Sequence, residues 1–300
     1  MWVLFAAISS VLLGIYDIIK KHSVNQNAVV PVLLISTLTG ACIFLPSLIY
    51  SSFSCANSQS FFYIPAIGLH EHLLFFLKSL IVGLSWFFIY YAFKNLPITI
   101  ASPIRASAPL WTLIGAITIL GERMNLLQWL GMILIFICYY LFSLAGKKEG
   151  IIFKTNRWVL FVFIGTLLGS CAALFDKYLV SHYSRIAMQA WFSVYLAIIY
   201  LVVFLVLWLP MRKKLTPFVW KWTIPLIGIT LTITDFVYFY ALSLPGALIA
   251  LVSIIRRSNV VVSFSFGALI FKEKNLKSKA FVLIAIILGV VLIAIGNTIK

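Results

Sequence analysis

"ALVSIIRRSNVVVSF" occupies residues 250–264, and the reading of its two arginines decides what kind of protein this is. From Gly246 to Ile255 nothing is more polar than Ser253, and after Asn259 a largely apolar run continues to Phe271. In a soluble core helix the pair Arg256–Arg257 is an anomaly. In a bilayer span it marks function, because one arginine at the membrane centre costs roughly 2.5–3.5 kcal/mol on insertion scales.

Composition identifies the solvent. The 300-residue chain is 63% hydrophobic and 10% charged, whereas soluble domains carry about 25% charged residues. Its mean hydropathy is +1.10, so an integral, all-α membrane protein is expected. Lys and Arg number 23 against seven acids, an excess that in a soluble chain suggests nucleic acid. Here the bases fall in short loops between apolar runs and act as topology signals, and no nucleic acid partner is implied. Cys42, Cys55, Cys138 and Cys171 have no CxxC or metal spacing and read as core residues. The "HEH" of His70–His72 lacks the i, i+4 spacing of a helical metal site, so no metal is expected. The first apolar run begins at Trp2 with no basic leader, and it reads as a retained helix.

A span needs about 20 apolar residues. Ten fit: approximately 2–20, 29–50, 73–93, 98–120, 126–144, 158–180, 187–209, 223–242, 246–271 and 279–297. The third is the most crowded by polar residues, with His70, Glu71, His72 and Lys78 at its start. Self-similarity then organises the ten. "LGIYDIIKKHS" in span one matches "ALFDKYLVSHYS" in span six, setting Asp17 against Asp176. "YYAFKNLP" closing span three matches "FYALSLP" closing span eight. Arg105 precedes Glu122, and Arg256 precedes Glu273, by the same seventeen residues. Four matches in the same order divide the chain into two five-span halves, 1–146 and 147–300. Because five is odd, the second copy must be inverted in the bilayer, the construction of many secondary transporters.

This layout, with the "YAFKNLP" ending of span three, the run from Pro109 to the "GE" at Glu122 and the following "QWLGMILIFICYYL", resembles the EamA-like transporters of the drug/metabolite transporter superfamily. The resemblance implies a ten-helix metabolite carrier. Spans one, three, four, six, eight and nine would line a central cavity, and spans five and ten would brace it from outside. The second half departs from the pattern, carrying Val260 and Lys272 where the proline and the glycine before the acid are expected.

Asp17, Asp176 and Asp235 lie within spans, as do Arg105, Arg256 and Arg257, and three acids against three bases suggests pairing. Ser253, Arg257, Val260, Ser263 and Gly267 form one helical stripe, and Ser102, Arg105, Pro109, Thr112 and Ala116 form its counterpart. Asp17 and Asp176 fit equally a cavity or an interfacial pair with Lys20 or Lys177. Asp235 has no lysine within helical reach, so it is a candidate partner of an arginine or a proton carrier. Its counterpart in the first half is Trp86. Trp86, Tyr90, Tyr91, Tyr238 and Tyr240 are candidate aromatic walls and phenol donors. Glu122 and Glu273 read as loop-end charges that fix helix termini.

These readings converge on a secondary transporter of a small polar or amphipathic metabolite. Its substrate would carry an anionic group met by Arg105, Arg256 and Arg257, because the guanidinium fork suits carboxylate and phosphate. No Walker-type loop is present, so no nucleotide cofactor is expected. A small-molecule channel of the same fold is the first alternative. A membrane-embedded transferase is the second, disfavoured because no histidine falls inside a span. Substrate identity, import or export and the coupling ion stay open, as does the choice between monomer and homodimer. The expected location is the inner or plasma membrane of a prokaryotic cell. The lysine-rich loops follow spans 1, 3, 5, 7 and 9, which places them in the cytoplasm and both termini outside; relatives resembled here suggest the reverse. A tag appended after Lys300 is therefore expected to be cut by protease added to intact cells, and protection of that tag reverses the orientation.

Overall fold

A computed structural model describes residues 1–53, 63–96, 104–105, 107–144, 156–259, 262, 284–285, 288–293 and 295–296. Among these residues the protein is helical throughout, with no strand. The helices are α1 (Trp2–Val24), α2 (Val29–Ser52), α3 (Leu69–Asn95), α4 (Ala108–Thr118), α5 (Leu126–Leu144), α6 (Arg157–His182), α7 (Arg185–Val203, continued by a π-helical turn Phe204–Trp208), α8 (Thr223–Ser243) and α9 (Ile249–Arg257). Six of them, α1, α2, α3, α6, α7 and α8, are long and apolar enough to cross a bilayer. This is a multi-pass membrane protein. Spans one to three and six to eight of the sequence reading thus have their helices. Helices α4 and α5 are shorter apolar helices over the described residues, and α9 covers the first part of span nine. Of the rest of span nine, Val260, Ser263 and Gly267 lie outside the described residues, as do Glu273 and Ser102.

The helices are apolar on their outer faces, and their buried polar groups are set among an apolar core. On α1, Leu4, Ile8, Val11 and Ile15 form an exposed stripe, while Ala6, Ser9, Ser10 and Lys20 are buried. Helix α3 repeats this, exposing Leu73, Phe76, Leu77, Leu80 and Leu84 and burying Lys78, Ser79 and Ser85. Lipid tails solvate leucine as well as a protein core does, so what the helices gain by meeting is close packing and polar pairing. The inward faces therefore carry small and hydrogen-bonding residues.

Helix pairing follows a regular scheme. Helix α1 packs on α8 as α3 packs on α6; α1 packs on α9 as α6 packs on α4; α2 meets α8 as α7 meets α3; and α2 meets α7. Hydroxyls stitch the first two pairs across the helix axes: Ser9 Oγ donates to the Thr234 carbonyl at 3.1 Å, and Ser85 Oγ donates to the Gly165 carbonyl at 2.7 Å. Outside this set, Gly131 of α5 lies against Gly289, where a Cβ on either would meet the other's backbone within 3 Å. Asn125 Nδ2 ties the same region to the Gly296 carbonyl at 2.5 Å.

The N-terminus of α9 is fixed by the loop after α4. Glu122 accepts from the backbone N–H of Ile249 at 2.7 Å and of Ala250 at 3.2 Å, as the positive end of a helix dipole favours. Burial raises the Glu122 carboxyl above the usual carboxylate range, and these two N–H bonds act against that rise. The loop-end role read from the sequence thus has a definite target in the other half of the chain.

The closest interhelical approach useful as a test is α2 on α8. A Cβ at Gly228 would strike the Ser36 carbonyl and stand 2.9 Å from Thr39 Cβ. Gly228→Ala is expected to cost about 1–3 kcal/mol of stability, measured as a lower melting midpoint in detergent, whereas Gly121→Ala, at a loop position with nothing within 4 Å, reports only its backbone strain at φ 64°.

Candidate functional site

A central cavity of about 170 Å³ opens among α1, α3, α4, α6, α8 and α9, room for on the order of ten waters. Phe192 of α7 adds one ring to its wall. Two ionic clusters stand at different depths along it. Helix α3 runs past both, contributing Lys78 to one and Tyr90 to the other, twelve residues or about 18 Å apart along the axis.

The first cluster is centred on Asp17. Lys20, one turn further along α1, donates to Asp17 Oδ1, and Asn259 Nδ2 donates to Asp17 Oδ2 at 2.6 Å. Arg105 Nη1 stands 3.9 Å from Oδ1, and Arg257 acts on the same carboxylate electrostatically. Aromatic rings complete the setting. The Lys20 ammonium lies 4.5 Å from the centre of the Tyr16 ring, Arg105 lies 5.2 Å from that of Phe93, and the Tyr16 and Tyr90 hydroxyls share a 2.9 Å hydrogen bond. Among the described residues one carboxylate here faces three bases.

The second cluster is balanced. Arg256 donates to Asp235 Oδ1, and its guanidinium stacks 3.9 Å over the Tyr238 ring. Lys78 Nζ sits 3.0 Å from Asp176 Oδ1, off the line a hydrogen bond needs. Its ammonium is held between the Phe192 and Phe239 rings at 4.1 and 4.2 Å. Lys78 is 1% exposed, a position a lysine keeps only beside a carboxylate or a π-face.

Most residues singled out from the sequence reach the cavity. Arg105, Arg256, Arg257, Asp235, Asp176, Trp86, Tyr90, Tyr238 and Ser253 line it, and Asp17 stands behind Lys20 and Arg105. Tyr91 and Tyr240 do not line it. Tyr91 packs on Phe87 at 4.8 Å, and Tyr240 packs on Phe5 and Arg185 at 4.7 and 4.6 Å. Successive residues turn by about 100° on a helix, and here that rotation leaves Tyr90 and Tyr238 facing the cavity while Tyr91 and Tyr240 point to other neighbours. The same turn sends the adjacent Arg256 and Arg257 to different clusters.

Asp17 and Asp176, which the sequence left open between a cavity and an interfacial pair, take these partners. Asp17 does pair with Lys20, but the lysine is buried rather than reaching for an interface. Asp176 pairs with Lys78 instead of Lys177, whose Nζ donates to the Ala247 carbonyl at 2.7 Å. Lys78 was obscured because α3 begins at Leu69, four residues before the expected start, so Lys78 lies more than two turns inside the helix. Its signal was the hydroxyl and glycine spacing around it, with Ser79, Gly83 and Ser85 all on the buried side. His72 is also occupied structurally, its Nδ1 2.7 Å from the Tyr195 hydroxyl.

Comparison with known proteins now adds to this geometry. Residues 1–144 match the sequence model of the EamA-like transporter family. A solved structure described only as "Crystal structure of protein" superimposes with a TM-score of 0.74 over 98% of both chains, at 12% identity; it shares the fold. A search of the curated proteins returns no significant match.

The buried lysine yields a test. Lys78→Met leaves Asp176 charged and alone, and is expected to cost about 3–5 kcal/mol, while the double variant Lys78→Met/Asp176→Leu recovers most of that loss. Equal destabilisation in the single and double variants, by thermal melting, would remove the pair as a stabilising unit.

Proposed function

We propose, from the match of residues 1–144 to the EamA-like transporter family, that the whole chain is a secondary transporter working by alternating access around the central cavity. Its architecture is ten spans in two inverted units, 1–146 and 147–300. The helix pairings support this, since exchanging α1 with α6, α2 with α7, α3 with α8 and α4 with α9 leaves the pairing scheme unchanged. In this arrangement the two clusters sit toward opposite sides of the membrane midplane, where repeats of this kind hold their substrates.

The observation that carries the substrate reading is the charge of the cavity wall. Asp17 stands behind Lys20 and Arg105, while Asp176 and Asp235 are matched by Lys78 and Arg256, so the wall together with the carboxylate behind it counts five bases, Arg257 included, against three acids among the described residues. A small metabolite with an anionic group neutralises that surplus. A dianionic head such as a phosphate monoester does so more fully than a monocarboxylate. Arg105 and Arg257 bind the anion with planar donor pairs. Tyr238, Trp86 and Tyr90 face the body of the ligand. The lysine-rich loops lie in the cytoplasm of the cell membrane.

A thermal-stability screen of the purified protein against organic phosphates and carboxylates identifies the ligand, because binding to the folded state raises its melting midpoint. Arg105→Ala and Arg257→Ala are each expected to weaken that ligand roughly tenfold to a hundredfold, from the loss of about 1.5–3 kcal/mol per charged hydrogen bond. Arg257→Lys restores only part, since the ammonium lacks the guanidinium fork. Unimpaired uptake or efflux by Arg256→Ala and Arg257→Ala proteins expressed at normal levels would sink the assignment.

A further inference from the structure

A second and smaller cavity, about 30 Å³, opens beside the first between α2, α3, α7 and α8. Its oxygen-bearing lining is Ser36, Thr37, Gln189, Ser193, Thr232 and Asp235. The four hydroxyls have already used their hydrogens. Ser36 and Thr37 donate to the Leu33 carbonyl, Ser193 to that of Gln189 and Thr232 to that of Gly228, each at 2.9 Å. Gln189 Nε2 likewise donates to the Thr232 carbonyl at 2.8 Å. A hydroxyl that has donated retains its lone pairs. The cleft therefore presents a guest with acceptor oxygens and one carboxylate.

Such a lining favours a cation, and oxygen ligands alone favour a hard one. A single carboxylate among neutral oxygens suits one positive charge, since calcium sites draw on several carboxylates and magnesium usually keeps its own waters. The space holds about two water-sized bodies, which fits a small ion with little of its hydration shell. Asp235 lines this cleft and the central cavity alike. Trp86, Phe192 and Leu231 complete the shared wall. On its central side Asp235 is held by Arg256.

We propose that the side cleft is a sodium site and that Asp235 couples it to the central cavity. A sodium ion in the cleft draws on the Asp235 charge and loosens its hold on Arg256. That guanidinium then becomes available to an anion in the central cavity, so cation and anion strengthen each other's binding by the same factor. The helices that build the cleft exchange in pairs between the two halves, α2 with α7 and α3 with α8. At the position matching Asp235 stands Trp86, so the carboxylate is present on one side and the cleft takes one ion. The sodium site rests on the cleft's own chemistry; its coupling to an anion rests on the transporter reading above.

Purified protein in detergent is melted while sodium chloride replaces choline chloride at constant ionic strength. A saturable rise in melting midpoint of roughly 5 °C at a hundredfold excess of sodium is expected. Asp235→Asn abolishes it. Ser193→Ala, which keeps every charge, moves the sodium titration to higher concentration by roughly tenfold. The site is overturned if potassium or choline gives the same rise, if Ser193→Ala titrates as the parent does, or if stabilisation follows pH and not sodium. Loss of the sodium effect with anion-dependent stabilisation intact removes this site alone. Anion stabilisation that persists in Arg257→Ala and Arg105→Ala strikes the transporter reading instead.

Discussion

The structure depends on one electrostatic constraint: charge placed at bilayer depth must meet opposite charge, a π-face or water. Arg256 meets this with Asp235 on one side and the Tyr238 ring on the other. Lys78 meets it with Asp176 between two phenyl rings, and Asp17 gathers Lys20, Arg105 and Asn259 around its two oxygens. Each of these contacts joins different helices except Lys20 to Asp17. The charges therefore do what apolar burial does in a soluble bundle, since in lipid an apolar face gains little by leaving its surroundings.

Bringing those helices close enough to share charge requires small inward faces. Gly228 lies against the Ser36 carbonyl, Gly165 against Ile89 and the Ser85 carbonyl, and Gly131 against Gly289. Hydroxyls fill the remaining gaps, most of them donating to a carbonyl one turn back in their own helix. This back-bonding satisfies the hydroxyl without a partner helix and leaves its lone pairs facing inward. The side cleft is a consequence of that habit: four hydroxyls used in this way, around one carboxylate, form an acceptor-lined space. Bases outnumber the carboxylate around Asp17, and Asp235 stands in the wall between the central cavity and the side cleft.

Much of the site was legible in the chain because bilayer solvation makes intramembrane charge rare. Asp17, Asp176, Asp235, Arg105, Arg256 and Arg257 stood out from apolar runs, and all of them lie at or directly behind the cavity wall. The aromatic candidates divided according to helix rotation, Tyr90 and Tyr238 facing in, Tyr91 and Tyr240 facing away. Lys78 was missed as a cavity residue because its helix starts earlier than the apolar run suggests, its first turn carrying His70, Glu71 and His72 where a span was not expected to begin. Apart from Asp235, the side cleft had no signal: its four hydroxyls come from serine and threonine, which are ordinary in membrane helices.

Hydropathy and the cost of buried charge are local to a segment, so the chain alone marks a multi-pass helical membrane protein and the charges that need a reason to be there, and six of its apolar segments are helices able to cross a bilayer. Only the tertiary structure decided who meets whom. Asp176 chose Lys78 over the adjacent Lys177, and Arg256 and Arg257 parted toward separate clusters. Those choices are set by helix rotation and by crossings that join residues from 21 to about 240 positions apart in the chain, where a turn of about 100° per residue moves a side chain from the cavity to the lipid.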